Sequence, residues 1–190
     1  MPISLKKGQK VSLTKGNPGL KKVMIGLGWD ANTMVGAQFD LDASCFLLDA
    51  NGRANGIQDF IFYNNLVGGN GSVQHQGDNL TGDGDGDDEQ IMVDLSAVPA
   101  NIEKMVFVVN IYDARARNQH FGMIRNAFIR LVDMDGRTEI CRFNLSENYT
   151  GMTGLVVGEI YKRNGAWKFN AIGQPVQEAS RLDALIRLYA

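Results

Sequence analysis

Apolar and polar residues alternate over short distances through most of the chain, the period-two pattern of strands half-buried in a sheet. Strands are expected over residues 10–13, 23–28, 39–49, 59–63, 91–95, 104–112, 127–133, 137–144, 155–163 and 167–172, with 72–75 a candidate for one more. The clearest is 39–49, where Phe39, Leu41, Ala43, Cys45 and Leu47 share one face. Its other face carries Asp40, Asp42, Ser44, Phe46 and Leu48, acidic first and apolar later. Residues 104–112 form the most apolar run and, being β-branched and aromatic, read as a central strand. Turn residues punctuate these runs: Lys15-Gly16-Asn17-Pro18-Gly19, Asn51-Gly52, Met134-Asp135-Gly136 and Asn164-Gly165. Helical spacing is confined to 178–189, where Leu182, Leu185, Ile186 and Tyr189 fall on one face. One helical turn is expected within 118–126. The pattern predicts a mostly β fold: an antiparallel β-sandwich of eight to ten strands, with short helical turns and one C-terminal helix.

Length and composition narrow this only a little. A chain of 190 residues suits one buried core, so residues 1–190 are expected to form a single domain. A net charge of −2 argues against a general nucleic-acid surface, which needs a basic excess. The first residues hold no apolar run of the signal-peptide kind, and no stretch of about 18 apolar residues occurs. A cytoplasmic location is therefore expected. Cys45 and Cys141 are far apart in apolar strands, without redox or zinc spacing, and are expected to be reduced and buried.

Charge is distributed unevenly, and this changes the picture. Asp83, Asp85, Asp87, Asp88 and Glu89 place five negative charges in seven residues, with only glycine between them. With Asp78 and Asp94 there are seven between positions 78 and 94, and no Lys or Arg. Like charges gathered so densely repel unless a cation neutralises them. Calcium takes six to eight oxygen ligands from carboxylates, amides and carbonyls, and glycine lets the backbone curl round an ion. Asp78, Asn79 and Thr81 add donors at the entrance. Asp40 and Asp42 leave one face of a strand, while Asp30 and Asp113 each close one. If these strand ends meet the acidic loop, a multi-segment oxygen cage results, with more donors than one ion needs. Two calcium ions are expected. The alternative is a solvated acidic loop.

Other chemistries fit less well. Asp83-x-Asp85-x-Asp87 copies the opening of an EF-hand loop, but Asp88 stands where glycine is required and Asp94 where glutamate is required. Phe39-Asp40-Leu41-Asp42 resembles the nucleophile motif of haloacid-dehalogenase-like phosphatases. That fold needs strands alternating with long helices, whereas here the strand continues through Cys45-Phe46-Leu47-Leu48. The two histidines, His75 and His120, have no adjacent nucleophile motif or zinc spacing, and no phosphate-binding glycine loop of the Walker type occurs. No enzymatic activity is expected. A calcium-dependent, C2-like module docking on anionic lipid remains a further alternative.

Four segments together resemble the TerD family of bacterial tellurite-resistance and stress-response proteins. They are Leu27-Gly28-Trp29-Asp30, Phe39-Asp40-Leu41-Asp42-Ala43-Ser44, Gly77-Asp78-Asn79-Leu80-Thr81-Gly82 through Gly86-Asp87-Asp88-Glu89, and Ile111-Tyr112-Asp113-Ala114. The resemblance implies a cytoplasmic calcium-binding β-sandwich in the machinery for resisting tellurite, some phages and pore-forming colicins. It implies partners among sibling proteins of the family and a membrane-embedded Ter component. The ligand set it implies is Asp30, Asp40, Asp42, Asp78, Asn79, Asp87, Asp88, Glu89 and Asp113, together with Asp83 and Asp85.

Overall fold

The computed structural model describes residues 1–30, 39–77, 86–145, 147–179 and 181–190. Along the chain the strands are β1 (Ile3–Leu5), β2 (Lys10–Ser12), β3 (Lys22–Asp30), β4 (Leu41–Leu48), β5 (Phe60–Ile61), β6 (Val67–Gly68) and β7 (Val73–His75). They continue as β8 (Glu89–Asp94), β9 (Lys104–Ile111), β10 (Arg125–Asp133), β11 (Thr138–Asn144), β12 (Gly154–Arg163) and β13 (Ala166–Val176). Two short helices, α1 (Ala114–Arg117) and α2 (Leu182–Ile186), complete the α-helical content of the described residues.

The strands form a seven-stranded sheet, ordered β1-β11-β10-β3-β8-β7-β6, and a six-stranded sheet, ordered β2-β13-β12-β9-β4-β5. Alternation explains the core between them. Val23, Ile25, Leu27 and Trp29 of β3 face Leu41, Ala43, Cys45 and Leu47 of β4 and Met105, Phe107, Val109 and Ile111 of β9. Burying each large side chain contributes about 1.5–3 kcal/mol, and Ile25, Cys45, Leu47, Phe107 and Ile111 are fully buried.

Period two also predicts a second apolar face, on the outside of the six-stranded sheet. Phe46, Leu48, Phe60, Val106 and Val108 form it, covered by Leu182, Leu185, Ile186 and Tyr189. Phe46 stacks on Phe60 at 4.4 Å between ring centroids and meets Tyr189 at 4.6 Å. The apolar face expected of the C-terminal helix is therefore the one that packs.

Several expectations need correction. The helix covers Leu182–Ile186, not 178–189. Upstream of it the Ala179 N–H donates to Thr153 Oγ1, which in turn donates to the Gln177 carbonyl, both at 2.9 Å, so these two backbone groups are engaged by Thr153 and not by a helix. The sandwich has thirteen strands among the described residues, more than expected, since β1 and β6 are too short to show a period. It is not wholly antiparallel either: β1 runs parallel to β11. The turn expected within 118–126 is a 3₁₀ turn at Phe121–Met123, and α1 precedes it.

Candidate metal centre

Four strand ends meet at one end of the sandwich. Antiparallel pairing sets Leu27 of β3 opposite Glu89 of β8, which brings the end of β3 alongside residues 86–88. The same pairing sets Leu41 of β4 opposite Ile111 of β9, and the Tyr112 N–H donates to the Asp40 carbonyl at 2.7 Å. Asp30, Asp40, Asp42, Asp87, Asp88, Glu89 and Asp113 thus lie at one end. Asp78, Asn79, Asp83 and Asp85 lie outside the described residues.

The three acids that close the acidic stretch each grip a different segment. Asp87 accepts from Arg130 Nε at 2.7 Å and from a terminal guanidinium nitrogen at 2.9 Å, and its side chain is fully buried. This pairing strengthens the hold of Arg130 on its proton, and Glu139, 3.1 Å from the guanidinium, adds to it. The Asp87 carboxylate rests on β3 where Gly26 leaves room: a Cβ there would lie 2.3 Å from Asp87 Cγ. At Gly28 a Cβ would lie 2.4 Å from the Phe128 ring and 2.9 Å from the Gly86 carbonyl. Asp88 accepts the Trp29 N–H at 2.7 Å, while its own N–H donates to the Leu27 carbonyl at 2.8 Å. Glu89 points inward and accepts the Ala43 N–H from the opposite sheet.

The remaining acids fall into two groups. Asp30 follows the inward-facing Trp29, so it lies on the outer face of the seven-stranded sheet, where Asn126 Nδ2 donates to it. Asp40 and Asp42 lie on the outer face of the six-stranded sheet. Arg117 stands 4.0 Å from Asp40, and Asp42, 3% exposed, is directly opposite Asn110. Asp113 follows β9 in the left-handed region, with φ 51°, and begins α1. Among the described residues, no three His, Cys, Asp or Glu side chains stand close enough together to hold a metal ion.

Four participants were absent from the sequence-based set of site residues. Arg130 is 43 positions from Asp87 and carries no local signal. His75 packs against Glu89, with Nε2 3.5 Å from Oε2. Its Nδ1 accepts the Gly77 N–H at 3.1 Å, so the ring proton sits on Nε2 and is donated to the Ala43 carbonyl, also at 3.1 Å. Ser44 and Asn110 are buried on the outer face beside Asp42. Asn110 did have a signal, an amide inside the most apolar run of the chain.

The cysteines stand apart from this end chemically. Both are free and buried; burial pushes the Cys45 thiol up and raises that of Cys141 to about 12, with Glu139 adding to the latter. Neither is poised as a thiolate. Among the described residues no helix is long and apolar enough to cross a membrane.

Comparison with known proteins places this arrangement among relatives. The TerD domain matches residues 1–189. General stress protein 16U of Bacillus subtilis (strain 168) is 58% identical over 178 residues, covering 93% of this chain and 92% of its own. Tellurium resistance protein TerD of Serratia marcescens is 54% identical over 174 residues, covering 92% and 91%. Among solved structures, the crystal structure of a homologue of the telluride resistance protein TerD from Streptomyces coelicolor A3(2) superimposes with a TM-score of 0.69. It is 21% identical and covers 87% of this chain and 96% of its own, a likeness of fold.

Proposed function

The chain belongs to the TerD family, and from that premise we propose that it is a calcium-binding sensor or adaptor in tellurium resistance and stress response. The observation that carries the reading is the convergence of Asp30, Asp40, Asp42 and Asp113 on the strand ends where the acidic stretch rejoins the sandwich. Their donors are all oxygen, the chemistry of a hard cation. Asn110 Oδ1, buried without a hydrogen bond on the same outer face as Asp42, fits that chemistry as well.

Asp30, Asp40, Asp42 and Asp113 would hold calcium together with Asp78, Asn79, Asp83 and Asp85. The distribution of Asp30 and Asp42 over opposite outer faces suits two ions better than one. Asp87, Asp88 and Glu89 would act first as anchors, since their carboxylates already grip Arg130, the Trp29 N–H and the Ala43 N–H. Calcium would relieve repulsion in the acidic stretch and order its surface for a protein partner, a sibling of the same family or a membrane-embedded Ter component. Direct thiol chemistry on tellurite is disfavoured by the burial of both cysteines. No catalytic step is assigned.

Calorimetry with calcium, and thermal melts with calcium and with chelator, test the reading. At calcium a hundredfold above Kd, each site stabilises by about 2.7 kcal/mol. That corresponds to a rise in Tm of roughly 5–10 °C at this chain length. No heat at millimolar calcium and an unchanged Tm would refute it.

A further inference from the structure

We propose that the outer face of the seven-stranded sheet carries an oxyanion site, built on Arg142 and Arg125, for a small organic phosphate or carboxylate. A groove of about 530 Å³ runs there over the start of β10 and the end of β11. Ile124, Arg125, Asn126, Arg142, Asn144 and Glu147 line it. That volume lies within the range of small-molecule sites and is more than a bare inorganic ion fills. The register of β10 against β3 slips between Arg125 and Phe128, with Asn126 at φ 52°. Such a bulge re-aims side chains, and here Arg125 and Arg142 line one groove.

Strand pairing leaves Arg142 with a charge that the fold does not answer. Cys141 and Phe143 point into the core, so Arg142 between them points out. Its direct cross-strand partner is Arg130, and like charges set opposite each other are destabilising. Arg130 is neutralised by Asp87 and Glu139. Among the described residues neither Arg142 nor Arg125 forms an ion pair. The nearby carboxylates are engaged elsewhere: Glu147 by Lys7 at 2.9 Å, and Asp30, opposite Arg125 on β3, by Asn126.

The guanidinium of Arg142 is held in position ahead of any ligand. Its carbon lies 3.6 Å from the centre of the Phe128 ring, and its Nε donates to Asn144 Oδ1 at 3.1 Å. Phe128 is itself seated on β3 at Gly28, where a Cβ would come within 2.4 Å of the ring. The ring thus lies between Gly28 and Arg142. These contacts occupy one side of the guanidinium and its Nε. They leave the two terminal nitrogens, a fork that matches a pair of oxygens on a carboxylate or a phosphate. Arg125 adds a second positive charge from the groove wall, and fixing Arg142 in advance lowers the entropy that binding must offset.

Titration calorimetry of the full chain with phenyl phosphate and with benzoate, in calcium-free buffer, tests this. Saturable binding of at least one probe is expected. Phenyl phosphate alone would make the ligand a phosphate, benzoate alone a carboxylate. Arg142→Gln should weaken binding about tenfold or more, the worth of one charge-assisted pair. Arg142→Lys keeps the charge without the planar fork and should not restore the parent affinity. No saturable binding of either probe at millimolar concentration, or an affinity unchanged in Arg142→Gln, would overturn the proposal. If Arg142→Gln fails to fold, Arg125→Gln, at an exposed side chain, decides in its place: weaker binding supports the site and unchanged affinity overturns it.

Discussion

The carboxylate of Glu89 reaches across the sandwich to accept the Ala43 N–H at 2.5 Å, and His75 donates to the Ala43 carbonyl beside it. The register explains why side chains are needed. Asp40 hydrogen-bonds toward β9, so the odd-numbered peptide groups of β4 face the opposite edge. There β5 pairs only with Cys45 and Phe46 and ends before Ala43. Two side chains from the facing sheet thus stand in for a missing strand.

Removing the Glu89 carboxylate should therefore cost stability even without metal. Glu89→Ala leaves a buried N–H unpaired, a loss of about 1–3 kcal/mol. Glu89→Gln keeps an acceptor and should lose less. Urea unfolding in chelator gives both numbers, and an Ala variant as stable as the parent would show the contact to be dispensable.

Gly26 and Asp87 make a second testable pair. A methyl at position 26 would occupy the place of the Asp87 carboxylate, which two bonds from Arg130 pin over β3. Gly26→Ala should destabilise by about 1–3 kcal/mol through overpacking. In a Gly26→Ala, Asp87→Ala double variant the clash is gone, so the two costs should not add. Strict additivity in a double-mutant cycle would mean that the carboxylate moves aside freely.

Alternation in 39–49 was enough to place Phe39, Leu41, Ala43, Cys45 and Leu47 in the core and Phe46 and Leu48 on a second apolar face. Periodicity is local, and it reads well wherever neighbouring strands merely cover what it predicts. It overextended the C-terminal helix because Thr153, far off in the chain, engages the Gln177 carbonyl and the Ala179 N–H. The candidate site was legible as an excess of charge, and topology then set its strand-end members at one end. The partners of Asp87 and Glu89 were not legible. Arg130 and Ala43 are ordinary residues locally, and only the register of β10 against β3 and the early end of β5 make them partners.

Asp113 allows backbone strain to be separated from ion binding. Its φ of 51° is a conformation glycine adopts without penalty. In chelator, Asp113→Gly should leave stability within about 1 kcal/mol of the parent, relief of strain offsetting the added freedom of the unfolded chain. In calcium the same variant should recover less of the metal-induced rise in Tm. A full rise would remove Asp113 from the ligand set.

Alkaline pH should loosen the C-terminal cover. Burial raises the Tyr189 hydroxyl from 10.0 to about 12, with Glu159 adding to the shift, and Tyr149 is raised to about 12 by burial and Glu147. An acid whose folded value is raised stays protonated while its unfolded counterpart ionises, so the unfolded chain binds fewer protons in that window. The contribution is complete below about pH 10 and is lost as pH climbs toward 12. Tyr189→Phe keeps the ring that packs on Phe46 and removes the proton. Unfolding free energies measured across this window should fall less steeply for Tyr189→Phe than for the parent. Parallel curves would show that the Tyr189 hydroxyl ionises as readily in the folded protein as in the unfolded chain.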